Sequence, residues 1–340
     1  MLASADIRRL RRSNEGRHTE PSRAATTPGF RPNLPGEKVS AACPEIFATA
    51  PCTPKIGETA LPWRMSQIDL VLEGEYNNRA RVPDHPAIFA RWRETSAAFR
   101  ARADVEIDLR YGSGERHRLD LFHATNPRGT VVFIHGGYWR SLDKSDFSFV
   151  AAPFVADGLS VAAFNYRLCP AGRIADAIDD CRAALVWLFA NGHKHGVPVD
   201  SVALSGHSAG GHLVSMMYAT DWPQREVDPS RIVGGVALSG VFDLAPLLNC
   251  SMNADLQLDA ATALAASTIH HRGTLTAPLH LAVGACESRA FIEQTRKLQR
   301  AWPATCPVAE EIASRNHFTI VDEFVRPESN AFKFISRLFG

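Results

Sequence analysis

The chain has 340 residues, enough for one large α/β domain or two smaller ones, with the composition of an ordinary globular protein. Lys and Arg number 37 and Asp and Glu 36, a formal net charge of +1 that gives no electrostatic case for nucleic acid or an anionic membrane, so a small molecule is the expected partner. The seven cysteines, at 43, 52, 169, 181, 250, 286 and 306, make no CxxC pair and no Cys/His cluster at zinc spacing, and read as reduced thiols of a cytoplasmic protein without a metal site.

Residues 1–64 hold 8 of the 21 prolines and ten Lys or Arg against six acidic residues, with no sustained helical or strand period. Such a segment buries too little surface to order itself, and a disordered extension is expected. Its start lacks the roughly 7–15-residue apolar core of a secretory signal, and acids and prolines interrupt the Arg-rich opening that a transit peptide would continue. Met65, where the texture changes, also permits a start of the natural protein there. No apolar run reaches the roughly 18–20 residues that span a bilayer.

Residues 65–340 are regular. HPAIFARWRETSAAFRAR brings Ile88, Phe89, Trp92, Ala97 and Phe99 to helical spacing, which predicts an amphipathic helix. VEIDLRYG and HRLDLFHA alternate around Ser113-Gly114-Glu115 and predict an antiparallel hairpin. Continuous apolar runs follow in TVVFIH, LSVAAFNYR, DSVALSGHS, IVGGVALSG and APLHLAVG, the pattern of strands buried on both faces, with PVAEEIA as the last strand. Helical stretches separate them, among them IADAIDDCRAALVWLFANG with a stop expected at Gly192. This order predicts an α/β fold: a mostly parallel central sheet with an antiparallel N-terminal strand pair and helices on both faces. Residues 244–272, rich in alanine and leucine at helix spacing, are expected to form a small helical cap over the site. The oligomeric state stays open, a homodimer included.

DSVALSGHSAGGHLVSMMYA carries the chemistry. A buried strand ends in Gly206-His207-Ser208-Ala209-Gly210 and a helical pattern follows, which is G-x-S-x-G in its strand-turn-helix context. A serine on so tight a turn needs small neighbours, and it projects at a helix N-terminus where backbone N–H groups favour a developing anion. A glycine-rich turn with a capping serine is the alternative reading. Ser208 is thus the candidate nucleophile, and a serine hydroxyl needs an adjacent base.

In this architecture the acid and then the histidine follow the serine. Of the 13 histidines, His135 and His207 precede or abut Ser208, His193 and His195 lie at a helix C-terminus, His212 lies in the helix after the serine, and His280 sits inside a strand. His317, in SRNHFTIVDEF just after the last strand, is the candidate base. Two carboxylates compete for the acid: Glu287, in the loop of LHLAVGACESRAF, is favoured over Asp243, in LSGVFDL after the preceding strand. Each has an ordinary alternative, Glu287 as a first-turn charge and Asp243 as a helix cap.

The stretch TVVFIHGGYWRS ends a strand in two glycines, and HGG loops supply backbone N–H groups to an anion site. Gly136 and Gly137, with Ala209 after the serine, are the candidate oxyanion donors, left bare so that a substrate carbonyl can approach; each such donor contributes about 2.7–4 kcal/mol. Tyr138 and Trp139 are candidate substrate contacts, or else pack the loop against the following helix.

Taken together, HGGYW, NYRLCP, GHSAGGHL, LSGVFDLAPL, GACES-x-x-F and the final NHF resemble the arylformamidase (kynurenine formamidase) and related esterase branch of the α/β-hydrolases. The resemblance covers about residues 70–340 in order and spacing, and YNNRARVPDH looks like that group's lead-in segment. It implies an α/β-hydrolase fold, Ser208 as nucleophile, His317 as base, Gly136, Gly137 and Ala209 as oxyanion donors, and an acid at Glu287 where the group usually has aspartate. It also implies hydrolysis of an N-formyl aromatic amide such as N-formylkynurenine, or of a small carboxylic ester, without metal or organic cofactor. A hydrolase fold that only binds a ligand is the expectation from another class; it usually lacks one of these groups, and here none is missing.

Overall fold

Among residues 68–340, which the computed structural model describes, eight strands form one sheet. The extension expected over 1–64 and the start at Met65 lie outside the described residues. The strands are β1 (Val105–Arg110), β2 (Arg118–Phe122), β3 (Thr130–Ile134), β4 (Ser160–Phe164), β5 (Val202–His207), β6 (Ile232–Leu238), β7 (Leu279–Gly284) and β8 (Ala309–Ile312). Their order is β1-β2-β4-β3-β5-β6-β7-β8; β1 pairs antiparallel with β2 and β2 with β4, and every later pair is parallel. The hairpin and the parallel series therefore stand as the alternation of the sequence predicts.

Burial on both faces explains the apolar runs. Along β3, Val132 and Ile134 enter one core while Val131 and Phe133 enter the other. Two short helices, α1 (Leu70–Tyr76) and α2 (Asn78–Arg81), and the longer α3 (His85–Arg100) lead in. The buried stripe of α3 is Ile88, Phe89, Trp92, Ser96 and Phe99, so Ser96 holds the place expected for Ala97. Its hydroxyl donates to the carbonyl of Asp146 at 2.9 Å and accepts from the N–H of Phe149 at 3.2 Å, which satisfies a polar group inside an apolar face.

Beyond α4 (Ala151–Ala156), α5 (Ile174–Asn191) buries Ile174, Ala177, Ile178, Cys181, Ala184, Leu185 and Leu188, a 3.6-residue repeat. It ends at Asn191 with Gly192 as its C-cap, as expected. The chain continues through a 3-10 turn to His195 and reverses at Gly196, whose φ of 69° is the left-handed conformation that glycine adopts without a Cβ penalty. Helix α6 (Ala209–Tyr218) follows β5 and is buried along its length. The 244–272 segment, expected to be a cap, holds two short helices, α7 (Asn253–Leu256) and α8 (Ala260–Ala266), flanked by 3-10 turns. Helices α9 (Arg289–Ala301) and α10 (Asn330–Arg337) complete the fold. No helix among the described residues is long and apolar enough to cross a membrane.

Candidate active site

The parallel strands end together, and the loops beyond β3, β5, β7 and β8 meet there, as expected for an open α/β sheet. Ser208 turns the corner from β5 into α6 with φ 57° and ψ −121°, a strained conformation for a residue with a Cβ. Its neighbours explain the motif: a Cβ on Gly206 would overlap the carbonyl of Gly210, and one on Gly210 would overlap the carbonyl of Ile134 at the end of β3. The N–H of Ser208 donates to the carbonyl of Leu238 at 2.8 Å, tying the corner to β6.

Across the pocket, His317 Nε2 lies 3.0 Å from Ser208 Oγ, and His317 Nδ1 lies 2.7 Å from Glu287 Oε2. With Nδ1–H donating to the carboxylate, Nε2 is left as the acceptor for the serine proton. Glu287 is held in turn: its Oε1 accepts from the N–H of Gly284 at 2.8 Å and from Ser239 Oγ at 2.5 Å. The ring of Phe291 meets His317 edge to face at 4.6 Å, closing the histidine from one side. Asp243, the rival acid, is engaged elsewhere. Its Oδ2 pairs with Lys297 Nζ at 2.6 Å and its Oδ1 accepts from the N–H of Ala245.

The loop after β3 lies against the serine. A Cβ on Gly136 would come within 2.8 Å of the carbonyl of His207 and 3.2 Å of Ser208 Cβ; one on Gly137, whose φ is 112°, would overlap the carbonyl of Ser141. The expectation that these glycines are bare for the substrate is therefore corrected: they are bare because protein backbone packs against them. Their N–H groups find no acceptor among the described residues. The N–H of Ala209, first in α6, has none within the helix.

NYRLCP braces this loop. Tyr166 stacks on His135 at 4.4 Å and donates its hydroxyl to the His135 carbonyl, and the N–H of Cys169 donates to the carbonyl of Trp139. His135 donates from Nδ1 to the Gly136 carbonyl at 2.8 Å, and burial pushes its pKa down to about 4, so it serves as a neutral donor.

Tyr138 lines the pocket and donates its hydroxyl to the Tyr76 carbonyl at 2.6 Å. Trp139 does not. Its side chain is fully buried and meets His212 edge to face at 5.0 Å, so the expected substrate contact is corrected to core packing. The pocket above Ser208 is walled by Phe89, Trp92, Tyr138 and Phe318, with Met252 from the 244–272 segment at its edge.

Two contributors escaped the sequence reading. His207 Nε2–H donates to the backbone carbonyl of His317 at 2.7 Å, and burial holds its imidazole well below the ordinary pKa and hence neutral. Ser239 holds the second oxygen of Glu287. Their partners lie 110 and 48 residues away, beyond the reach of any local pattern.

Comparison with known proteins agrees with the fold. The BD-FAE family model matches residues 119–276. Kynurenine formamidase of Salmo salar is 28% identical over 259 residues, covering 73% of this chain and 86% of the relative, and that of Danio rerio is 29% identical over 257 residues, covering 72% and 86%. Among solved structures, a "putative thioesterase" of Silicibacter sp. TM1040 is 33% identical with a TM-score of 0.69, covering 79% of this chain and 98% of that one. Esterase B of Lactobacillus rhamnosis shares the fold at 22% identity, with a TM-score of 0.58 over 77% of this chain and 95% of that one. Fold and matches together define an α/β-hydrolase. Within that class the chain is arylformamidase-like, and it is an enzyme, a hydrolase of arylformamidase or esterase type.

Proposed function

We propose that the protein hydrolyses a small aromatic amide or ester, of the N-formylkynurenine type, through an acyl-enzyme on Ser208. The observation that carries this reading is the continuous line from Ser208 Oγ to His317 Nε2 at 3.0 Å and from His317 Nδ1 to Glu287 at 2.7 Å, at the floor of an aromatic pocket. Ser208 Oγ attacks the carbonyl carbon while His317 Nε2 takes its proton. The carbonyl oxygen becomes an anion facing the N–H groups of Gly136, Gly137 and Ala209, and Glu287 stabilises the imidazolium. His317 then gives the proton to the leaving amine or alcohol. Water, deprotonated by the same nitrogen, attacks the acyl group, releases the acid and restores the serine hydroxyl.

Similarity to kynurenine formamidases over nearly three quarters of the chain supports a formamide substrate. A short-chain carboxylesterase would use the same groups and differ only in the leaving group. The 244–272 segment, which brings Met252 to the pocket, would act as a cap that limits substrate size. The buried, unpaired thiols of Cys169, Cys181, Cys250 and Cys306 support a reducing, cytoplasmic location. Rates measured side by side on N-formylkynurenine and on p-nitrophenyl esters of graded chain length test the assignment. Turnover of the formamide well above background is expected; a background rate beside rapid ester hydrolysis overturns the formamidase reading in favour of the esterase.

A further inference from the structure

The loop after β3 that carries the candidate oxyanion donors is strained over most of its length. Gly137 has φ 112°, and Tyr138, Trp139 and Leu142 stand at φ 52°, 53° and 72°, the left-handed region that bulky side chains seldom occupy. Such a run persists only where the surroundings over-determine it. Trp139 is held by the core, with its ring buried and its carbonyl accepting from the N–H of Cys169 at 2.8 Å. Gly137 is the weak link, since a residue without a Cβ swings easily about its own backbone bonds.

Both peptides beside Gly137 are tied. From the core, His135 Nδ1 donates to the carbonyl of Gly136 at 2.8 Å; because a trans peptide is planar, with its N–H opposite its C=O, that bond aims the N–H of Gly137. From the pocket side, the carbonyl of Gly137 accepts from Ser141 Oγ at 3.0 Å, beside the N–H of Arg140 at 3.1 Å, which sets the rotation beyond the Gly137 Cα. A hydroxyl has one hydrogen to give, and Ser141 uses it there. Its oxygen accepts in turn from Nη2 of Arg79 in α2, 62 residues away in sequence, at 3.0 Å. Guanidinium, hydroxyl and carbonyl thus form a relay that runs one way, and the charged donor at its head strengthens the bond behind it. This is the only hydrogen bond of the Arg79 side chain among the described residues, and its guanidinium lies over the Phe89 ring of α3 at 5.8 Å.

We propose that Arg79 is a positioning residue of the oxyanion site: acting through Ser141, it latches the carbonyl of Gly137 and so keeps the Gly137 N–H trained on the carbonyl oxygen of a substrate at Ser208. The inference rests on the hydrolase reading of Ser208 and adds to it a residue of the lead-in segment that works at one remove from the reacting atoms. Without the latch the strained loop relaxes, and the N–H donor moves away from the place where negative charge develops. The loss falls on the transition state, so kcat changes while ground-state binding does not.

Steady-state kinetics of Arg79→Gln, Ser141→Ala and the double variant test this, on p-nitrophenyl acetate or, where wild type does not turn that ester over, on N-formylkynurenine. Each single variant should lose about tenfold in kcat with KM within about twofold, less than the roughly 10²–10³ that follows deletion of an oxyanion donor. The double variant should be no worse than Ser141→Ala, because the two residues act as one unit. Arg79→Lys, whose ammonium can still donate to Ser141, should keep part of the rate. Binding of phenyl trifluoromethyl ketone, which forms a tetrahedral adduct on a serine, should weaken in step with kcat. Where Arg79→Gln does not fold, Arg79→Lys takes its place in the cycle with Ser141→Ala, and its effect should vanish in the Ser141→Ala background. Losses that multiply in the double variant, a wild-type kcat in folded single variants, a loss carried by KM, or unchanged binding of the ketone each overturn the inference while the hydrolase reading stands. If folded wild type hydrolyses neither p-nitrophenyl acetate nor N-formylkynurenine, the hydrolase reading on Ser208 falls, and this inference with it.

Discussion

His207 donates its Nε2–H to the backbone carbonyl of His317 at 2.7 Å, so the residue just before the serine fixes the histidine that faces it. The two rings stand 4.9 Å apart, and burial keeps His207 neutral, so that no second cation would oppose the imidazolium that the proposed mechanism forms on His317. His207 is a positioning residue in this account. His207→Ala should lower kcat by about 10- to 100-fold with little change in KM, the cost of a loosened base. His207→Gln, whose amide can reach the same carbonyl, should recover most of it. Equal losses in both variants would make His207 a packing residue only.

Glu287 and Asp243 give opposite expectations. Glu287→Ala removes the partner that sets the His317 tautomer and should reduce kcat by about 10⁴-fold. Asp243→Asn breaks a surface-proximal ion pair with Lys297 and should leave kcat within about threefold, in line with the modest energies of such pairs. Steady-state kinetics of the two variants decide the matter, and a reversed ranking would move the acid to Asp243.

Gly137→Ala tests why the oxyanion loop carries glycine. At φ 112° a Cβ would strain the backbone and overlap the Ser141 carbonyl, so the loop must shift away from Ser208. Stability should drop by about 1–3 kcal/mol together with a large fall in kcat. Retained stability and activity would mean that the close packing drawn here does not constrain the loop.

Buried neutral histidines set an acid limit on the fold. His135 and His212 have pKa values pushed by burial to about 4, below the ordinary 6.5. Between those values the unfolded chain binds more protons than the folded one, so their contribution is fully present above pH 6.5 and is lost as the pH falls toward 4. Each is worth up to about 3 kcal/mol. Denaturant titrations from pH 7.5 to 4.5 should show falling stability, with a shallower slope in His212→Gln; a flat profile would contradict the burial argument.

Much of this was legible before any coordinates. The order of apolar runs dictated the sheet because parallel strands, buried on both faces, cannot alternate. GHSAG singled out Ser208 as a candidate because a strained corner tolerates only small neighbours, chain order singled out His317, and the fold brings the two within hydrogen-bond distance. What stayed hidden depended on contacts distant in sequence. Trp139 looked like a ligand contact beside the oxyanion loop, but its place against His212 depends on how α6 packs. Gly192 does end α5, but the 3-10 turn that follows it and the reversal at Gly196 were not legible from the glycine alone. Asn78 and Arg79, in a segment with too few apolar residues to suggest an element, gained meaning once α2 lay beside the pocket.

The central claim is that Ser208 carries the acyl group, and covalent labelling tests it most directly. A fluorophosphonate probe followed by peptide mass spectrometry should place a single adduct on the peptide containing Ser208. Ser208→Ala should take no label and lose about five to six orders of magnitude in kcat. Folded wild type that hydrolyses substrate yet takes no label at Ser208, or a Ser208→Ala variant that keeps turning over, would contradict the account.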